Sequence, residues 1–283
     1  LMTVGAVIQI AIGPPLIFGF EGFEGMGLTG AALAFVIARG ISFVMYGYYV
    51  AKDRLLVWSF GGFISSSRAI LHVGLPAIAA NLISPISLTV ITRLLAGHGA
   101  AVVAGFSVAS RIETMLAMVM WALSMSVAPF VGQNWGAGLF ERVQRALRVA
   151  NIFALSWGLF AFACLYWLGP RLIALVNDDP EVIEAASVYL LIIPLGMGLM
   201  GVVANSTSSF NALGMPGPPL VISLLQMLFL SVPLALVGNY LFGYRGIFIG
   251  SVVGISVTAL VAFVWLRLTL RHRIQLARSK VDP

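Results

Sequence analysis

Apolar residues in this chain neither alternate nor keep to one helical stripe. They run in long blocks separated by short polar or Gly/Pro-rich breaks. A helix needs about 20 apolar residues to cross ~30 Å of hydrocarbon. Blocks meeting that length fall at residues 1–18, 28–50, 69–96, 105–131, 149–168, 182–213, 219–239 and 247–266. The pattern predicts an all-α polytopic membrane protein with eight transmembrane helices. Strands of a membrane barrel would be half as long and would alternate.

Local breakers refine this picture. Pro14 and Pro15 interrupt the first block, and Tyr46, Tyr48 and Tyr49 close the second as interfacial anchors. Pro76 and Pro85 kink the third, with Asn81 between them, freeing carbonyls to face a cavity. Asp179 followed by Pro180 predicts a capped helix start. The sixth block is interrupted by Pro194, Gly196, Gly198 and Gly201, then carries Asn205, Ser206, Thr207, Ser208, Ser209 and Asn211. That run predicts a wet face on a kinked helix. Residues 53–68 are the best linker, and 271–283 form a basic tail.

Composition mainly removes alternatives. Of 283 residues, 60% are hydrophobic and 9% charged, with a mean hydropathy of +1.02. One soluble core could not hide that much apolar surface, so lipid must cover the remainder. The net charge of +6 does not indicate nucleic acid, because the cations are scattered among short loops and the tail. They read as topology signals. With the C-terminus cytoplasmic, eleven loop and tail cations lie inside against Arg171 and Arg245 outside, as the positive-inside rule requires. The single Cys164 cannot form an internal disulfide. His72, His98 and His272 are dispersed, giving no metal site, and no nucleophile–base pair, phosphate loop or paired carboxylates suggest an enzyme.

The first two blocks resemble the last two at an offset near 218: Pro15-Leu16 with Pro233-Leu234, Gly27 with Gly246, Lys52 and Arg54 with Arg271 and Arg273. A parallel repeat of this kind places the start of the first half about 150 residues before Leu1, room for about four more spans. The expectation is a truncated chain whose N-terminal helices are missing.

The motifs Gly74-Leu75-Pro76, the run from Ala100 to Arg111-Ile112-Glu113, Gly132-Gln133-Asn134-Trp135-Gly136-Ala137-Gly138, and Asn211-Ala212-Leu213-Gly214 resemble the multidrug and toxic compound extrusion (MATE) family. The resemblance implies part of a twelve-helix, two-lobe transporter. Residues 1–52 would be the last two helices of the N-lobe, 53–68 a cytoplasmic inter-lobe linker, and 69–270 a six-helix C-lobe. It further implies a plasma-membrane antiporter that exports amphipathic, often cationic compounds in exchange for Na⁺ or H⁺, with no other cofactor. A flippase for lipid-linked precursors and an inactive fragment or assembly partner are the competing readings. The chain departs from some branches in lacking acidic residues at 69–96 and 194–213.

Glu113 is the one acidic residue deep in any block. A carboxylate at that depth is costly unless neutralised. With Arg93 and Arg111 it forms the ion-coupling candidate. The structural alternative is a permanent ion pair with Arg93, since Arg111, two residues away on a helix, faces elsewhere. Gly132, Gln133, Asn134, Gly136 and Gly138 are the hinge or gate candidate, and equally a helix cap and turn. Asn81, Pro85, Asn205, Asn211 and Gln226 are substrate-cavity candidates, with Met115, Met118 and Met120 as a soft apolar surface. Interhelical hydrogen bonding and ordinary packing are the alternative for each.

Overall fold

Backbone groups inside so apolar a chain must be satisfied internally, which favours helices. The computed structural model describes residues 2–20, 23–54 and 61–279. They divide into two compact units, Leu1–Ser65 and Ser66–Pro283.

In the first unit, helix α1 (Met2–Phe18) packs on helix α2 (Gly27–Lys52). A two-residue antiparallel pair, Gly19↔Glu24 and Phe20↔Phe23, closes the hairpin. Gly30 allows the close approach, because a Cβ there would strike the backbone of Leu16. The Met26 N–H donates to the Leu16 carbonyl at 2.9 Å across the same contact.

The second unit contains most of α3 (Phe63–Ala96), then α4 (Ala100–Gly136), α5 (Phe140–Ala174), α6 (Pro180–Ile192), α7 (Met197–Ala212), α8 (Gly217–Leu224) and α9 (Val232–Arg278). Asp179 caps α6 by accepting the Glu181 N–H at 2.9 Å, with Pro180 in the first turn. Pro194 lies in a 3₁₀ turn, Ile193–Gly196, that sets α7 off from α6. A proline nitrogen cannot continue the α-helical ladder, which accounts for the break there.

Helix α4 lies beside the α6–α7 pair in parallel, with Gly105 against Ala185, Met120 against Gly201 and Ser124 against Ser208. Helix α5 runs the opposite way, with Gly158 against Gly198, Ala154 against Gly201 and Asn151 against Asn205. Small residues at these crossings let the backbones approach closely, the usual device where lipid removes the hydrophobic drive between helices. One core cluster holds Val131, Val143, Leu147, Phe210, Ile222 and Leu266. A second holds Leu95, Ala109, Leu165, Ile173, Tyr189 and Phe248.

A π-helical segment, Leu225–Ser231, joins α8 to α9. Inside α9 the backbone leaves helical values at Phe242 and at Gly243, whose φ is +60°. The chain doubles back there, so that Gly238 meets Gly246, Leu234 meets Gly250 and Ser231 meets Gly254. Beyond this bend the helix continues to Arg278, so the basic residues 271–278 extend a helix.

The count of eight transmembrane helices is corrected by these elements. Among the described residues, five helical stretches are long and apolar enough to cross a membrane: Gly27–Lys52, Ala100–Gly136, Phe140–Ala174, Pro180–Ala212 and Gly217–Ala277. The first block yields a helix of 17 residues, about 26 Å at 1.5 Å per residue and short of the ~30 Å core. In the third block helix α3 spans Phe63–Ala96, and the apolar stretch among its described residues is Pro85–Ala96. The seventh and eighth blocks fall within the single stretch Gly217–Ala277, as two arms that fold back on each other at Phe242 and Gly243. Counting apolar blocks treats these arms as separate rods, whereas a bend at Phe242 and Gly243 joins them directly, without a polar loop. Residues 55–60 of the expected linker lie outside the described residues, as do 280–283 of the tail.

Candidate functional site

Helix α4 brings Glu113 to Tyr189 of α6, and the tyrosine hydroxyl donates to Glu113 Oε2. The Tyr189 ring is buried and is held edge-on between Phe106, at 5.4 Å between centroids, and Phe248, at 5.1 Å. Fixed by this aromatic wall, the phenol orients the carboxylate without supplying charge to neutralise it. Among the described residues no ion pair joins Glu113 to Arg93 or Arg111, and both arginines are exposed. The expected Arg93 partner is thus replaced by Tyr189. A carboxylate with a neutral partner in an apolar setting retains a net demand for a proton or a cation.

Below Glu113 along α4 runs a polar seam. Ser124 Oγ donates to the Ala204 carbonyl at 3.0 Å and shares a 2.6 Å hydrogen bond with Ser208 Oγ. Asn205 is fully buried; its amide donates to Asn151 Oδ1 at 3.1 Å, while its own Oδ1 has no partner. Ser206 and Ser209 are buried and donate to the carbonyls of Val202 and Asn205 one turn earlier. Much of the polar run expected to form a wet face is therefore turned inward and satisfied by its own helix, as hydroxyls on helices commonly are.

The remaining cavity candidates are dispersed. Pro85 is exposed on α3, where its carbonyl accepts from Thr89 at 2.9 Å. Asn211 is exposed in the last turn of α7, and Gln226 is half-buried in the π-helical segment. The Asn81 side chain lies outside the described residues. Met115 and Met118 are exposed, whereas Met120 packs against Gly201.

The glycine-amide element closes α4. Helix continues through Gly132, Gln133, Asn134 and Gly136, then ends at Gly138, whose φ is +72°. Leu139 N–H donates to the Asn134 carbonyl at 2.9 Å and Gly138 N–H to the Trp135 carbonyl at 3.0 Å. This paired arrangement is a Schellman cap. The same one closes α7, where Met215 donates to Phe210 and Gly214 to Asn211, with Gly214 at φ +69°. Gly132 sits 3.8 Å, as measured from an added Cβ, from the Ala212 carbonyl, so the two caps lie side by side. The caps predict unequal responses to alanine. Gly138→Ala should cost about 1 kcal/mol because of its positive φ, whereas Gly136→Ala should stabilise by about 0.5–1 kcal/mol. Thermal melts of the two variants check this; equal shifts would contradict the cap reading.

Charge separates the two ends of this unit. Arg142, Arg145 and Arg148 start α5 beside the caps, and Arg273 Nη1 reaches the Leu213 carbonyl at 3.5 Å. At the other end lie the Arg245–Glu184 ion pair, at 3.1 Å, and His98 Nε2 hydrogen-bonded to Asn239 Oδ1 at 2.5 Å. Two cavities open at the arginine-rich end, about 500 Å³ between α5 and α9 and about 540 Å³ between α4 and α5. Among the described residues no three His, Cys, Asp or Glu side chains converge to hold a metal. Sequence reasoning missed Tyr189, which lies 76 positions from Glu113 with no motif to link them, and Asn151, the partner of Asn205.

A family model described as MatE matches residues 76–237. The chain is 33% identical over 251 residues to the FAD transporter of Shewanella oneidensis, covering 87% of this chain and 56% of that protein. It is 24% identical to the probable multidrug resistance protein NorM of Thermotoga maritima, covering 88% of this chain and 54% of that protein. The solved structure of the Vibrio cholerae MATE transporter VcmN in its bent form superposes with a TM-score of 0.83 at 29% identity, over 96% of this chain and 61% of that one. The chain spans about half the length of the curated relatives it matches.

Proposed function

The chain belongs to the MatE family and is a multi-pass membrane protein; from this we propose that it works in a secondary-active antiporter exporting amphipathic organic compounds in exchange for Na⁺ or H⁺. The observation that carries the reading is the Glu113–Tyr189 pair. A carboxylate deep in a helix bundle without a cationic partner is suited to take up and release the exchanged cation. In this reading residues 1–52 supply the last two helices of the N-lobe, 53–68 the linker and 69–270 the C-lobe. The arginine-rich end, with the C-terminus, faces the cytoplasm, in keeping with the positive-inside rule. The paired caps of α4 and α7 form the inner gate, and the Asn205–Asn151 contact backs the substrate path.

A second reading of the substrate is favoured by the 33% identical relative, which is a FAD transporter. A phosphate-bearing flavin dinucleotide would need cations, and Arg93 and Arg111 are exposed without an ion-pair partner among the described residues. Efflux from vesicles containing the full-length protein tests both. A fluorescent organic cation and FAD serve as alternative substrates, with the Na⁺ or H⁺ gradient dissipated midway. Cation efflux that collapses with one gradient supports the first reading, and gradient-dependent FAD movement supports the second. Movement of neither would overturn the proposal.

A further inference from the structure

We propose that the cavity between α5 and α9 binds an anionic phospholipid at the arginine-rich membrane face. Helices α5 and α9 both pack on α7 but do not pack closely on each other, which leaves a groove between them. On α5 it is lined at positions 144, 147, 148, 151, 152 and 155, and on α9 at 263, 266, 267, 270 and 271. Each set is a single helical face.

The chemistry along the groove is graded. Gln144, Arg148 and Asn151 lie towards the start of α5, and Arg267 and Arg271 towards the end of α9. Those two helix ends share the arginine-rich end of the unit, so the three guanidinium groups gather at the mouth. None of the lining residues is acidic, and among the described residues none of the three arginines has an ion-pair partner. Going inward, Ile152 and Leu155 on α5 and Phe263 on α9 make the wall apolar. Leu155 is about 10 Å along the helix from Arg148, and Phe263 about 12 Å from Arg271, at 1.5 Å per residue.

A cationic mouth over an apolar interior matches one kind of ligand, a phosphate headgroup continuous with an acyl chain. A free anion would satisfy the arginines and leave the apolar part wet, and a neutral lipid would leave the cations unpaired. Arginine forks suit phosphate oxygens bidentately, and basic pockets between helices at the cytoplasmic face favour anionic headgroups. A volume of about 500 Å³ holds a headgroup and the upper part of one chain, with the remainder of the lipid in the bilayer.

Native mass spectrometry of the full-length protein tests the site, using phosphatidylglycerol and phosphatidylcholine of identical chains. The expected result is one phosphatidylglycerol retained in marked preference to phosphatidylcholine. In the triple variant R148Q/R267Q/R271Q that preference falls on the order of a hundredfold, with each cation near the surface contributing roughly a fivefold step. R142Q/R145Q, which removes charge at the same end but outside the groove, should keep the preference and guards against a general electrostatic effect. Equal retention of the two lipids, an unchanged triple variant, or an equal loss in R142Q/R145Q would overturn the proposal. Displacement of the lipid by millimolar inorganic phosphate would overturn it in favour of a soluble anion.

Discussion

Glu113→Gln in the full-length protein should abolish ion-driven efflux, lowering it at least about tenfold, a change of ~1.4 kcal/mol or more in the coupled step. The substitution is nearly isosteric and keeps an oxygen to accept from the Tyr189 hydroxyl. It removes only the charge to which the proposal assigns the exchanged cation, so the melting temperature and the amount of folded protein should be close to wild type. Tyr189→Phe supplies the contrast. It leaves the carboxylate in place and frees it from its fixed partner, so efflux should be weakened and still respond to the gradient. Efflux in Glu113→Gln at the wild-type rate, under the same gradient, would show that the carboxylate is structural.

The largest stability effect is expected in the helical hairpin of α9. Gly238 and Gly246 approach so closely that a Cβ on either would strike the backbone of the other, and Gly250 stands equally close to Leu234. Backbone cannot yield as a side-chain tip can, so Gly246→Leu must separate the two arms. The hairpin also carries Ile247 and Phe248, both buried in the core around Tyr189 and Leu190. Overpacking plus loss of that core should exceed about 4 kcal/mol, enough to remove most folded protein. Gly47→Leu on α2, where an added Cβ meets nothing within 4 Å, should leave the yield unchanged. Size-exclusion profiles in detergent compare the two variants; a sharp monodisperse peak for Gly246→Leu would contradict the packing.

What could be read from the sequence divides by the range of the interaction. Asp179 with Pro180, the break at Pro194 and Gly138 at the end of the glycine-amide run act through backbone geometry within about one helical turn, and they appear in the fold as a cap, a 3₁₀ turn and a Schellman motif respectively. The partner of Glu113 is set by packing between α4 and α6. Charge alone pointed to Arg93, while an aromatic wall selects Tyr189. Packing between helices likewise turns much of the polar run after Ala204 inward, towards Ser124 and Asn151. A serine looks wet in sequence, yet it is buried here with its hydroxyl bonded to the carbonyl one turn back. The span count failed where a block yields too short a helix, as in α1, or where two blocks are arms of one bent stretch, as in Gly217–Ala277, because block length carries no information about where a helix starts or bends. The arginines read as topology signals prove also to line a groove, which no linear spacing between α5 and α9 could reveal.

The central claim is that the carboxylate of Glu113 holds the cation that is exchanged for substrate. It is tested most directly by adding a fluorescent organic cation to purified full-length protein in detergent and recording ion release, with a pH dye for protons and ²²Na for sodium. Wild-type protein should release one of the two ions in proportion to substrate bound, and Glu113→Gln should bind substrate and release neither. Equal release from both proteins would contradict the assignment and place the exchanged ion elsewhere.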